Sequence, residues 1–256
     1  MELKQHLLPA LRHLRLSGML ETLDARNRQA IDERWSYGEF LACLLEDEVE
    51  RRAQRQLGLR IRRAALNTTK TLEGFDFQFN ATINRQQVLD LAACDYVRHK
   101  RNVLICGPAG VGKTHLAQAL AHEACRQGFE VLFADTHKML RHINGGRADG
   151  SLDRRLQAYL RPNLLVLDDF GLKPLQPPAP EDLYDVIHER YEQGSILLTS
   201  NRAPSEWPDL FGDPLLASAG LDRLTHLAQV VIITGASHRA KDRHQSLQEP
   251  PIVPAT

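Results

Sequence analysis

The chain lacks net charge: 32 Lys and Arg balance 32 Asp and Glu. Global electrostatics therefore favour neither a nucleic-acid nor a membrane partner, and any such case must rest on local clustering. Cysteine is scarce, four residues in 256, and no two of them form a C-x-x-C. This excludes a zinc ribbon or a dithiol redox pair. Cys43, Cys94, Cys106 and Cys125 lie in apolar or helical stretches and read as reduced core thiols of a cytosolic protein. The eleven histidines show no H-E-x-x-H or comparable ligand spacing. No run approaches the ~18 apolar residues of a membrane span, and residues 1–10 lack the uninterrupted apolar core of a signal peptide. What is there, 43% hydrophobic and 25% charged residues, suits one α/β core with a smaller appendage.

One stretch organises the rest. Val103 to Cys106 is a short apolar run of the kind that forms a buried parallel strand. It leads directly into Gly107-Pro108-Ala109-Gly110-Val111-Gly112-Lys113-Thr114, which fits G-x-x-x-x-G-K-[ST] at every fixed position. Helix formers follow from His115 to Ala121. The glycines let the backbone turn tightly with its N–H groups pointing inward, and the start of the next helix adds its positive end. Such a loop cradles phosphates. Lys113 can reach the β- and γ-phosphates, and the Thr114 hydroxyl can hold Mg²⁺. The expected ligands are ATP and the Mg²⁺ it carries, and no other metal.

Upstream of this loop the chain reads as helical over residues 1–66. Leu3, Leu7, Leu11 and Leu14 recur at helical spacing, and Gly18 is expected to weaken or end that first helix. A second helical stretch spans roughly residues 19–32. Ser36 and Glu39 form a capping box at the start of a third, with Phe40, Leu41, Leu44, Leu45 and Val49 as its apolar face. Six arginines follow with no acid among them: Arg51, Arg52, Arg55, Arg60, Arg62 and Arg63. They fit a solvated helix end, with Asp47–Arg51 and Glu48–Arg52 as i,i+4 pairs, or a DNA-binding patch that contacts phosphates. Residues 67–71 read as a polar linker. Phe75, Phe77 and Phe79 then alternate, packing between regions or flanking a base.

Downstream, Leu164 to Leu167 is a buried strand that ends in Asp168 and Asp169. Ligands of open α/β sheets bind at the carboxyl ends of strands. Asp168 would orient Mg²⁺ and Asp169 would align the attacking water; two aspartates could also simply cap the next element. Helices are expected over residues 86–99, 137–143, 152–160, 181–192 and 213–227, with a glycine-rich loop over 144–151. Leu215, Leu216, Ala219 and Leu224 are expected inward on the last of these. Further strands are expected over 130–134, 195–200 and 230–234. Asn201 ends one strand, where it either bonds the γ-phosphate or water, or serves as a turn residue. Arg223 either pairs with Asp222 or Asp213 or reaches a neighbouring subunit. The polar, proline-containing segment 241–256 reads as disordered.

Taken in order, the P-loop, Leu167-Asp168-Asp169-Phe170-Gly171, Glu189 to Glu192, Thr199-Ser200-Asn201, Leu221 to His226 and Gly235 to Arg239 resemble the IstB-like ATP-binding proteins. These are transposition helpers of insertion sequences, related to the DnaC helicase loaders of the AAA+ class. The match spans nearly the whole chain, including Leu14 to Leu20, Leu45 to Arg52 and Lys70 to Phe77. The resemblance implies a P-loop NTPase of AAA+ type: a five-stranded parallel sheet flanked by helices, a small all-helical N-terminal region and no C-terminal lid. The regions are then 1–66, a linker at 67–71, an ATPase core at 72–240 and the tail. It further implies Mg-dependent ATP hydrolysis, with Lys113, Asp168, Asp169, Asn201 and, across a subunit interface, Arg223 as catalytic groups. Gly107 to His115 and Arg239 would bind the nucleotide, and Thr114 and Asp168 the metal. The implied partners are duplex DNA, with the six arginines and the helix pair at 137–143 and 152–160 as candidate contacts, an IstA-like transposase, and further copies of the chain with ATP at their interfaces. The implied location is the bacterial cytosol, at the nucleoid when DNA-bound. Three features depart from the pattern. Asp169 stands where many AAA+ proteins have Glu, His238 where Tyr is commoner, and few residues follow the last strand. A DnaC-like helicase loader and a stand-alone P-loop kinase are the alternatives.

Overall fold

A computed structural model of the chain describes residues 2–80, 82–235 and 237, with side chains from residue 6 onward. The expectations about Arg239, His238 and the tail fall outside these residues. The chain divides into two compact units, Met1–Arg60 and Ile61–Thr256.

The first unit is helical: α1 (Glu2–His13), α2 (Ser17–Glu33) and most of α3 (Tyr37–Arg63). Leu11, Met19, Leu23 and Leu44 form its small core, with Phe40 partly buried against them. The first helix ends at His13, with Arg15 at φ 57 just beyond it, rather than at Gly18. Gly18 lies in the first turn of α2 because a Cβ there would meet the α3 backbone, Glu48 Cα, at 2.7 Å. Its N–H donates to the buried Glu48 carboxylate at 2.6 Å. The capping box forms as expected: Ser36 N–H donates to Glu39 at 2.7 Å, and Glu39 N–H donates to the Ser36 hydroxyl at 3.2 Å.

Two expectations for α3 are corrected. Only Leu44 of its apolar set is fully buried; Leu41, Leu45 and Val49 are 52%, 49% and 68% exposed, because the core of three helices is narrower than the stripe. The predicted Asp47–Arg51 pair is replaced. Asp47 holds Arg26 of α2 at 2.7 Å, and Arg51 pairs with Glu21, while Glu48–Arg52 forms at 2.6 Å. Contacts between helices thus displace contacts along one helix. Hydrogen bonds from Arg26 push the Asp47 carboxyl down to about 2. A depressed folded-state value gives stability that is present above about pH 4 and lost as pH falls through 2. Asp47→Asn should therefore melt below the parent at pH 5, and the gap in Tm should close as pH falls from 4 to 2. A gap that is constant with pH would show that the pair contributes nothing through ionisation.

The second unit is built on a five-stranded sheet in the order β2-β3-β4-β1-β5. Its strands are β1 (Val103–Cys106), β2 (Val131–Asp135), β3 (Leu164–Phe170), β4 (Ser195–Ser200) and β5 (Gln229–Ile232). Every pairing is parallel. The three middle strands are buried along most of their length, as continuous apolar runs demand. The flanking helices are α4 (Arg85–Ala92), α5 (Asp95–Arg98), α6 (Lys113–Arg126), α7 (Thr136–Asp149), α8 (Leu152–Leu160), α9 (Ala179–Arg190) and α10 (Pro214–Thr225). Burial pushes Cys94 up to about 12 and Cys106 up to about 11, so both thiols stay protonated.

Three departures from the sequence reading have local causes. The helix expected over 86–99 is broken at Cys94, a buried residue at φ 59. The glycine loop at 144–151 is instead the end of α7, closed by Gly150 in the left-handed region. Gly146 belongs to that helix because a Cβ would meet Leu152 Cα at 2.7 Å. In α10 it is Ala217, Gly220 and Leu224 that are buried, while Leu215 is largely exposed at the first turn. Among the described residues, no helix is long and apolar enough to cross a membrane.

Candidate functional site

The sheet order sets the site. The P-loop leaves the end of β1, the two aspartates end β3, and β4 lies between these strands. All strands are parallel, so the three ends share one edge of the sheet. Gly112 takes φ 99 to turn the loop into α6. At the other end of the loop, a Cβ on Gly107 would meet the Ile233 carbonyl oxygen at 2.0 Å. Only glycine fits either position.

The loop, α6 and the segment before α4 enclose a cleft of about 450 Å³. It is lined by Ala109 to His115 and by Lys70, Phe75, Asp76, Asp169 and Asn201, among others. Lys113 is nearly buried and donates to the Pro108 carbonyl oxygen at 2.7 Å. The Thr114 hydroxyl donates to Asp168 Oδ1 at 3.0 Å. Burial pushes the Asp168 carboxyl above the usual range, against hydrogen bonds from Thr199 and Thr114 that favour its charged form. A hydroxyl and a carboxylate held together beside a phosphate cradle are the hard oxygen donors that Mg²⁺ takes alongside nucleotide phosphates. The chemistry of this donor set fits that ion. Among the described residues, no cluster of three or more His, Cys, Asp or Glu is arranged to hold a metal.

The two aspartates reach this edge through an irregularity that the sequence does not announce. Leu167 pairs with Leu198 and Phe170 with Ser200, so Asp168 and Asp169 face Thr199 alone. This is a β-bulge, and Asp169 takes φ 56 within it. In a regular strand consecutive side chains point to opposite faces. The bulge re-aims one of them, so that Asp168 meets Thr114 while Asp169 lines the cleft. Thr199 fastens the arrangement: its hydroxyl donates to Asp168 Oδ1 at 2.5 Å and accepts from the Asp169 N–H at 3.1 Å.

The sequence reading missed Thr199, Lys70 and the tight seating of Phe75. The Phe75 ring edge lies 3.2 Å from where a Gly112 Cβ would stand, and the ring packs edge-on against His115 at 5.1 Å. The signals were the position of Thr199 beside Asn201 and of Lys70 at the head of the phenylalanine segment. Arg223 is not among the residues lining the cleft. It lies near the end of α10, where it donates to the Ala219 carbonyl oxygen at 2.7 Å and sits 5.8 Å over the Tyr184 ring. Neither Asp222 nor Asp213 holds it; the Asp213 side chain instead caps α10. Of the arginines of α3, Arg51 and Arg52 are ion-paired, Arg55, Arg62 and Arg63 are exposed, and Arg60 is half-buried.

A parallel sheet in this order, with a P-loop at one strand end and an acidic pair at another, defines a P-loop domain of AAA+ type. The fold is also that of the replication initiator DnaA bound to AMPPCP and single-stranded DNA (TM-score 0.56, 24% identity, 72% of this chain and 56% of that one). It is likewise that of DnaI (TM-score 0.55, 21% identity, 64% and 90%). Residues 9–246 match the IstB-like ATP binding protein family, and the chain belongs to it. A relative from Mycobacterium tuberculosis, named as an ATP-binding protein in an insertion sequence, is 43% identical over 91% of this chain and 94% of its own length. The insertion sequence IS21 ATP-binding protein of Pseudomonas aeruginosa is 37% identical over 92% and 89%.

Proposed function

We propose that this chain is a Mg-dependent ATPase that assists a transposase by assembling on duplex DNA. The observation that carries the reading is the Thr114–Asp168 hydrogen bond at the mouth of an intact P-loop, in a chain whose relatives are named for insertion sequences.

When bound, Mg²⁺ would neutralise charge on the β- and γ-phosphates. The backbone N–H groups of the P-loop and Lys113 hold the phosphates. Thr114 and Asp168 supply the metal's protein oxygens. Asp169 draws the proton from the attacking water, and Asn201 aligns that water against the γ-phosphate. Arg223, which does not line its own cleft, completes the site of a neighbouring copy and stabilises the charge that develops in transfer. Arg239 is assigned to the nucleotide from the family pattern alone. The arginines of α3 contact the DNA backbone, so binding is weakly sequence-specific and strongly salt-dependent.

The test is assembly on duplex DNA, followed by sedimentation with and without ATP. The parent should assemble when ATP is present. Arg223→Ala should bind ATP normally but lose ATP-dependent assembly by about tenfold, the loss expected when an interfacial charge contact is removed. A mutant that assembles and hydrolyses ATP like the parent would sink the shared-site mechanism. A parent that grips DNA identically with and without ATP would sink the reading as a whole.

A further inference from the structure

The segment from residue 67 to 80 is fastened down, although its polar start, residues 67–71, reads as a linker. Three side chains on one face of α6 hold its start. Gln118 accepts from the Asn67 N–H at 3.0 Å, His122 Nε2 contacts the Asn67 carbonyl oxygen at 2.8 Å, and His115 Nε2 contacts the Thr71 carbonyl oxygen at 3.1 Å. Positions 115, 118 and 122 recur at helical spacing, so this is a polar stripe along α6. Further on, Glu73 pairs with Arg126 at 2.7 Å. Asp76 turns the chain by accepting from the N–H groups of Gln78 and Phe79. The strap crosses α6 beside the P-loop and sets Lys70 and Phe75 in the wall of the cleft.

The Lys70 side chain takes no part in fastening the strap. Its neighbours Asn67, Thr71, Glu73 and Asp76 all hold the strap in place. The Lys70 ammonium has no hydrogen-bonded or ion-paired partner among the described residues, yet its backbone is fixed between two anchors on α6. It lines the cleft together with Lys113 and Thr114. The fully charged side chains lining the cleft are Lys70, Lys113, Asp76 and Asp169. Without Lys70 that wall would be net negative towards a polyanionic ligand, which Coulomb repulsion would oppose.

We propose that Lys70 is a second phosphate-binding lysine of this cleft, delivered by the strap to the phosphate chain of the bound nucleotide. The inference rests on the nucleotide-binding reading of the cleft. It adds a contact from outside the P-loop and makes the strap part of the site. A strap pinned to α6 pre-positions the cation, so less side-chain freedom is lost on binding than a lysine on a loose linker would lose.

The full-length parent, Lys70→Met and Lys70→Arg are compared by calorimetric titration with MgATP, and each is melted without nucleotide. Lys70→Met should melt with the parent and bind MgATP about tenfold more weakly, the loss of one charge-assisted contact. Lys70→Arg should recover affinity to within about threefold of the parent, since a guanidinium also binds phosphate. The proposal is overturned if Lys70→Met binds as tightly as the parent, or if Lys70→Arg binds as weakly as Lys70→Met. A parent that takes up no MgATP would instead overturn the reading of the cleft, and this inference with it.

Discussion

Asp169→Asn is expected to lower ATP hydrolysis about 1000-fold, within the range for loss of a general base, while MgATP affinity stays within about threefold of the parent. The variant isolates chemistry from conformation. Asp169 sits at φ 56 in the β3 bulge, a region that Asn tolerates as well as Asp does. The backbone, the cleft wall and the bond from the Asp169 N–H to Thr199 therefore remain, and only the carboxylate proposed as proton acceptor is lost. A factor of 1000 corresponds to about 4 kcal/mol in the barrier. The same geometry gives a physical reason for aspartate where many AAA+ proteins carry glutamate. A longer side chain in the left-handed region gains no local hydrogen bond to offset its backbone cost, which is about 1–2 kcal/mol. Hydrolysis by Asp169→Asn at the parental rate, measured as phosphate release under saturating MgATP, would move the base elsewhere in the cleft.

Arg190→Ala is expected to cost the second unit about 4 kcal/mol, among the largest effects a single substitution produces. Arg190 is 1% exposed, and burial pushes its guanidinium down to about 10, still charged at neutral pH. It donates to the carbonyl oxygens of Tyr159, Leu160, Pro162, Asn163 and Ser195 at 2.7–3.3 Å. One side chain thus satisfies the end of α8 and the approaches to β3 and β4. Removing it strands several buried acceptors at once. Gly194 permits the arrangement, because a Cβ there would stand 2.7 Å from Arg190 Nη2. The loss should appear as a fall in Tm of roughly 10 °C for a unit of this size. Lys cannot span five carbonyls with one ammonium, so Arg190→Lys should recover less than half of it. A melt within 2 °C of the parent for Arg190→Ala would show that water replaces the guanidinium at little cost.

Much of the site was legible because its parts are contiguous. The P-loop is an uninterrupted sequence whose spacing is imposed by phosphate geometry. Leu164 to Asp169 reads as a buried strand with acids at its carboxyl end because burial on both faces demands an apolar run. What remained hidden depends on segments far apart in the chain. The apolar stripe of α3 was too wide to show which side found a partner. The glycine-rich run 144–149 stays helical because Gly146 packs against Leu152, and the helix over 86–99 breaks at Cys94, a left-handed residue that is not glycine; neither position carries a local sign of this. Arg190 reads locally as a basic residue at a helix end; its role exists only because five carbonyls from two segments, 159–163 and 195, converge on it.

The sequence by itself determined the strand–loop–helix junction of a P-loop, since local backbone geometry and the residues that permit it are written side by side. Tertiary structure alone decided that Asp168 and Asp169 share one edge of the sheet, that Thr199 fastens them, and that Lys70 is held at the cleft. Each depends on register between strands or on a strap crossing a helix. The free energy of such contacts comes from which distant groups meet, and no local pattern encodes that.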